Sequence, residues 1–136
     1  MINNLHVRIP GTMPVIYLHI GVNKTGTTAI QRHFDANRKF YKEHGLLYPE
    51  TAHVAGAHYA LSSSLGFRHA NTSRDWLINL NDLKKGIIKE ITNADIKSVI
   101  FSSEDFVLNS SVDNVKQYFE GFPVKVVVYL RRHDHW

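Results

Sequence analysis

Residues 21–28 read GVNKTGTT, directly after the apolar run VIYLHI and directly before AIQRHF. Gly21 and Gly26 have the separation of a G-x-x-x-x-G-K-[ST] phosphate loop, and Thr28 supplies its final hydroxyl. Thr27 holds the position of the loop lysine, and the lysine that is present, Lys24, stands three residues nearer the preceding run. A glycine loop that leads into a helix gathers consecutive backbone N–H groups on one point and adds the positive end of the helix, which suits a phosphate-like anion. Thr27 and Thr28 would add hydroxyl donors. The same glycines would serve a plain turn with Thr27 as N-cap and Thr28 in the first turn, but such a turn does not require a lysine between them.

A second chemical group is Glu104, in VIFSSEDF. A carboxylate at the carboxyl end of a strand, facing the crevice of the loop, can take a proton from an attacking hydroxyl. The alternative is that Glu104 and Asp105 are solvated there or open a helix with Ser102 and Ser103. His58, in GAHYAL, is a second candidate base. The nine histidines raise the question of a metal, but His53 and His58 do not have the i, i+4 spacing of a helical zinc pair, and His133 and His135 sit in a terminal HDH, so no metal is expected.

These groups need elements to position them. VIYLHI is β-branched and aromatic enough for a short buried strand. From Thr27 to about Glu43, Ile30, Phe34 and Tyr41 recur at near-helical spacing among polar residues, which predicts one amphipathic helix ended by His44-Gly45. LLYPE reads as a short extended segment, since Pro49 biases Tyr48 away from helical angles. GAHYALSSSLGF fits either a short helix around Tyr59, Ala60 and Leu61 or an irregular loop. Residues 73–91 place Trp76, Leu80, Leu83, Ile87 and Ile91 on one stripe, predicting a second long helix. A strand over 97–104, a helix from near Ser111 and a third strand, KVVVYLRR, complete a β-α-α-β-α-β order. Strands as continuously apolar as VVVYL, separated by helices, point to a parallel sheet covered on both faces, a three-layer α/β/α fold of the kind P-loop nucleotide-binding proteins have.

At 136 residues, with 43% apolar and 21% charged residues, the chain suits one folded domain. It has no apolar run of membrane-spanning length and no secretion-signal layout at its start, so a cytoplasmic location without membrane association is expected. The absence of cysteine excludes disulfides, thiolate zinc sites and a cysteine nucleophile. A net charge of +4 suits an anionic ligand, while the scattered basic residues lack the stripe expected of nucleic-acid binding.

The stretch LHIGVNKTGTTAIQ resembles the 5'-phosphosulfate loop of sulfotransferases that use 3'-phosphoadenosine 5'-phosphosulfate (PAPS), where a [KR]-[ST]-G-[ST]-[ST] core replaces the Walker arrangement. The resemblance implies that Lys24 contacts the oxygen bridging phosphate and sulfate, with Thr25, Gly26, Thr27 and Thr28 holding the 5'-phosphate. It also implies that Arg131, the first arginine after VVVYL, begins the site for the 3'-phosphate, whose usual serine would fall beyond Trp136. VIFSSEDF resembles the family segment carrying a catalytic or substrate-facing residue, which makes Glu104 the candidate base. The implied activity is transfer of a sulfuryl group from PAPS to a hydroxyl or amine without a metal. GLLYPE and the histidine-containing segment after it resemble bacterial carbohydrate sulfotransferases, which makes a glycan acceptor an expectation.

Because RRHDHW follows the third strand with no crossover helix behind it, the 136 residues are expected to be the N-terminal part of a single such domain, with an exposed strand edge prone to association. A divergent P-loop kinase or NTPase using SSED as its acidic strand end, and a non-catalytic anion-binding piece, are the competing readings.

Overall fold

In the computed structural model, which describes residues 11–21, 26–69, 72–108 and 112–130, the run VIYLHIG forms β1 (Val15–Gly21) at an inner position of a four-stranded sheet. The other strands are β2 (Leu46–Leu47), β3 (Ser98–Ser103) and β4 (Val124–Tyr129), in the order β2-β3-β1-β4. All pairings are parallel, with Ile16 opposite Val99 and Val124, His19 opposite Ser102 and Val127, and Leu47 opposite Val99. The α/β class read from the sequence is therefore the observed one, with LLYPE supplying a fourth strand.

Alternation along the strands gives the sheet two different faces. Ile16, Leu18, Val99 and Phe101 form a core with Leu61 of α3 (Tyr59–Ser64), with Leu83, Ile87 and Ile91 of α4 (Leu80–Thr92), and with Tyr118 of α5 (Val112–Tyr118). On the opposite face Gln31 of α1 (Thr27–Ala36) bonds to Ser102. α2 (Arg38–Glu43) continues that layer, and Arg38 lies over the ring of Tyr48 at 4.9 Å. Among the described residues no helix is long and apolar enough to cross a membrane.

Three local expectations are corrected. The helix expected over 27–43 breaks at Asn37 (φ −116°), whose side-chain amide donates to the His33 carbonyl at 2.7 Å and competes with the helical ladder. The helix expected from Ser73 begins only at Leu80. Ser73 instead caps a 3-10 turn, Arg74–Trp76, the Ile78 N–H bonds to Ser64 Oγ at 3.0 Å, and Asn79 Oδ1 caps α4 by accepting from Asn81 and Asp82 N–H. Trp76 is thus drawn off the α4 stripe. The sheet is also not covered on both faces throughout: β4 is the outer strand, and Val124, Val126 and Val128, in register with the core residues of β1, are solvent-exposed.

Candidate functional site

The topology creates one place where connections part. From β1 the chain passes to α1 on the His19–Ser102 face, and from β3 it passes to α5 on the Phe101 face, where Phe119, just beyond α5, lies 5.7 Å from Phe101. Between the carboxyl ends of two such strands, a parallel sheet opens a crevice that ordinarily receives ligand. Gly26, Thr27, Thr28 and Glu104 converge there. Lys24, Thr25 and Arg131 lie outside the described residues.

Gly26 enters α1 with φ +88°, a left-handed conformation that glycine adopts without the strain a side chain would bring. Its carbonyl accepts from Ala29 and Ile30 N–H, and no side chain caps the helix. Thr27 is therefore the first helical residue rather than the N-cap, and its hydroxyl has another use: it donates to Oε1 of Glu104. Thr27 is buried, whereas Thr28 is exposed. Gly21 makes this approach possible, because a Cβ there would collide with Thr27 Cγ2 and come within 3.5 Å of Glu104 Cγ. Glu104 itself opens a 3-10 turn (Glu104–Val107), where Ser103 Oγ accepts from Asp105 N–H at 3.2 Å. The reading of Ser103 as a capping residue holds alongside the placement of Glu104 at the crevice. Asp105 is directed elsewhere, to His69 Nε2 at 3.4 Å, and burial pushes its carboxyl above the usual range.

Beneath the loop lies a polar layer that the sequence did not single out. Ser102 Oγ accepts from Gln31 Nε2 at 3.0 Å and lies 2.7 Å from His19 Nδ1. The Ser102 hydroxyl can share the bond to Nδ1 in either direction, since its oxygen accepts two hydrogen bonds. His19 Nε2 is buried and has no hydrogen-bond partner among the described residues. Burial holds His19 below its ordinary pKa, partly offset by the Glu104 charge. The His19 ring also meets Tyr129 of β4 edge-on at 5.3 Å. The available signals were local: a histidine inside the otherwise apolar VIYLHI, and a glutamine one helical turn after Thr27.

His58 does not lie in the crevice as a base. It is fully buried, its Nε2 donates to the Pro49 carbonyl at 2.9 Å and its Nδ1 accepts from Ser102 N–H at 3.0 Å. Burial pushes its pKa down to about 3, so the ring is neutral and both nitrogens are engaged. His58 is a clamp that ties the segment before α3 to the end of β3. His53 lies edge-on to it, with ring centroids 5.3 Å apart. Among the described residues no group of three or more His, Asp or Glu side chains is placed to hold a metal.

A concavity of about 540 Å³ lies elsewhere, beside β2, lined by Arg38, Lys42, Tyr48, Thr51 and Lys89. There the Glu90 carboxylate accepts from Glu50 and Thr51 N–H, so its acidic group holds the backbone after β2. The convergence of chemical groups is at the β1–β3 crevice. Comparison with protein-family models, with curated proteins and with solved structures found no match to this chain.

Proposed function

We propose that this chain carries the donor-binding part of a sulfotransferase, which moves a sulfuryl group from PAPS to a hydroxyl or amine acceptor in the cytoplasm. The observation that carries this reading is the meeting of the glycine loop with Glu104: Thr27, the first residue of α1, bonds to the carboxylate that ends β3. The residues fit such a donor. Gly26 is exposed, with no atom of the described residues beyond its chain neighbours within 4 Å of where a Cβ would stand, so backbone can approach an anion closely. The first N–H groups of α1 carry the positive end of the helix dipole, and the buried His19 Nε2 has no partner among the described residues.

Bound at this loop, PAPS would supply the electrophilic sulfur. Glu104 accepts the proton of the acceptor hydroxyl as its oxygen bonds to sulfur. Lys24 would serve the oxygen that departs with the electron pair of the broken S–O bond, its ammonium interacting with that growing charge more strongly at the transition state than before it. Thr27 holds Glu104 in place, while Thr28 and the N–H groups at the start of α1 hold the 5'-phosphate with Thr25 and Gly26. Arg131 receives the 3'-phosphate. No metal is required, because the charge is met by lysine and helix dipole.

Lys24→Met tests this. The variant should lose PAPS-dependent transfer while keeping its fold, and wild-type transfer rates in that variant would refute the assignment.

A second reading, a divergent P-loop NTPase, draws on the same Thr27–Glu104 pair, since a strand-end carboxylate beside a loop hydroxyl also suits Mg²⁺. The hydroxyl that follows the lysine in such loops corresponds to Thr28, which is exposed, and the lysine position is Thr27. Calorimetry with 3',5'-ADP against ATP plus Mg²⁺ separates the two. Tight, Mg²⁺-dependent ATP binding without a response to 3',5'-ADP would favour the NTPase.

A further inference from the structure

Close to Glu104 two aromatic rings stack without being buried. Tyr59, the first residue of α3, and Trp76, in the 3-10 turn Arg74–Trp76, are parallel within 12° with centroids 5.2 Å apart, and both are partly exposed. Large apolar side chains on a surface need not mean anything singly. This pair is different, because polar bonds fix its elements to the end of β3 and to each other.

Tyr59 is fixed from both sides. His58 N–H donates to the Ser102 carbonyl at 2.8 Å while Ser102 N–H donates to His58 Nδ1, so the residue before Tyr59 is locked to the end of β3. Further along α3, Ser62 Oγ bonds to Ser103 Oγ at 2.9 Å, one residue before Glu104. The Trp76 segment is then tied to α3 by the Ile78 N–H bond to Ser64 Oγ. The same tether keeps α4 from starting early, so the break in the expected helix is what presents the indole. Leu77 and Ile78 extend its apolar surface, each 40% exposed. Burial, with a smaller contribution from the charges of Glu104 and Asp105, raises the Tyr59 phenol above its ordinary pKa.

We propose that Tyr59 and Trp76 form the acceptor seat: a ring with a flat apolar face and a free hydroxyl rests on the aromatic pair and turns its hydroxyl to Glu104. The chemistry recognised is the flat face together with the hydroxyl, shared by a pyranose ring and a phenol. The role of Glu104 in this seat rests on the sulfuryl-transfer reading; the seat as a binding surface does not. Stacking on an aromatic face adds to the buried area, so loss of the pair should weaken acceptor binding by about two- to tenfold.

The chain has two tryptophans, Trp76 and Trp136, so in a Trp136→Phe background the indole emission reports the seat alone. Cellotetraose and p-cresol are titrated into that protein without cofactor, and 3',5'-ADP binding is measured separately by calorimetry. A saturable emission change with either probe, weakened about two- to tenfold by Tyr59→Ala, is expected, and the responding probe identifies the acceptor as glycan or phenol. Glu104→Gln should bind the same probe as before while losing transfer. Normal 3',5'-ADP binding with no Trp76 response to either probe would overturn the seat. A Trp76 response without 3',5'-ADP binding would leave the seat standing and sink the sulfuryl-transfer reading. Should Tyr59→Ala unfold the chain, Tyr59→Leu keeps the bulk without the aromatic face and carries the same expectation.

Discussion

Thr27 and Glu104 are joined by a hydrogen bond across 77 residues of sequence, the threonine hydroxyl donating to the carboxylate at the end of the neighbouring strand. Through this bond the start of α1 and the candidate base are parts of one unit. Thr27→Val keeps the shape and removes the donor. It should lower kcat while leaving 3',5'-ADP affinity nearly unchanged, and destabilise the fold by about 1 kcal/mol. An equal loss of ADP affinity would show that the hydroxyl serves the phosphate instead.

Gly21 should tolerate no side chain. Its added Cβ would collide with Thr27 Cγ2. Gly21→Ala is expected to destabilise the protein by about 1–3 kcal/mol in urea unfolding, the range for overpacking. Thr27→Ser removes the offending methyl and keeps the hydroxyl, so the double variant should recover at least about 0.5 kcal/mol relative to additivity. Strict additivity would place the strain elsewhere.

His58 predicts a pH dependence. Its folded pKa is depressed to about 3, whereas in the unfolded chain it titrates near its ordinary 6.5. Below that unfolded value the unfolded state binds the extra proton, so the contribution is fully present above about pH 6.5 and is lost as pH falls toward 3. Between pH 7 and pH 5 the loss from this one group is about 2 kcal/mol. Denaturant midpoints at the two pH values, compared between the parent protein and His58→Asn, measure it. An identical pH slope in the variant would contradict the neutral clamp. His19, also lowered by burial, acts with the same sign.

The start of α4 can be read by capping. Asn79→Ala should destabilise the protein by about 1 kcal/mol, since its Oδ1 accepts from two N–H groups, and Ser73→Ala by less, because Ser73 caps only a 3-10 turn. The reverse order would mean that the helix begins where the stripe from Trp76 suggests.

These tests follow the line between what was local in the sequence and what was not. The apolar runs of β1, β3 and β4, and the glycine loop after β1, could be read directly because a strand, a turn and a helix start are set by neighbours a few residues away. The same local pattern misled at Asn37 and between Ser73 and Leu80. At Asn37 a side chain competes with its own helix, and at Ile78 the N–H is taken by Ser64 on another element. Periodicity carries no information about such partners.

The sequence by itself determined the α/β class and the position of a glycine at the entry to α1, Gly26, because apolar alternation and glycine conformation are properties of short segments. Only the tertiary structure decided that LLYPE joins the sheet beside β3, that Thr27 is turned to Glu104, that His58 is a buried clamp and not a base, and that Tyr59 meets Trp76. Each of these is a choice of partner made across the sheet register, and a hydrogen bond or a stacked ring chooses by distance in space, which the order of residues along the chain does not encode directly.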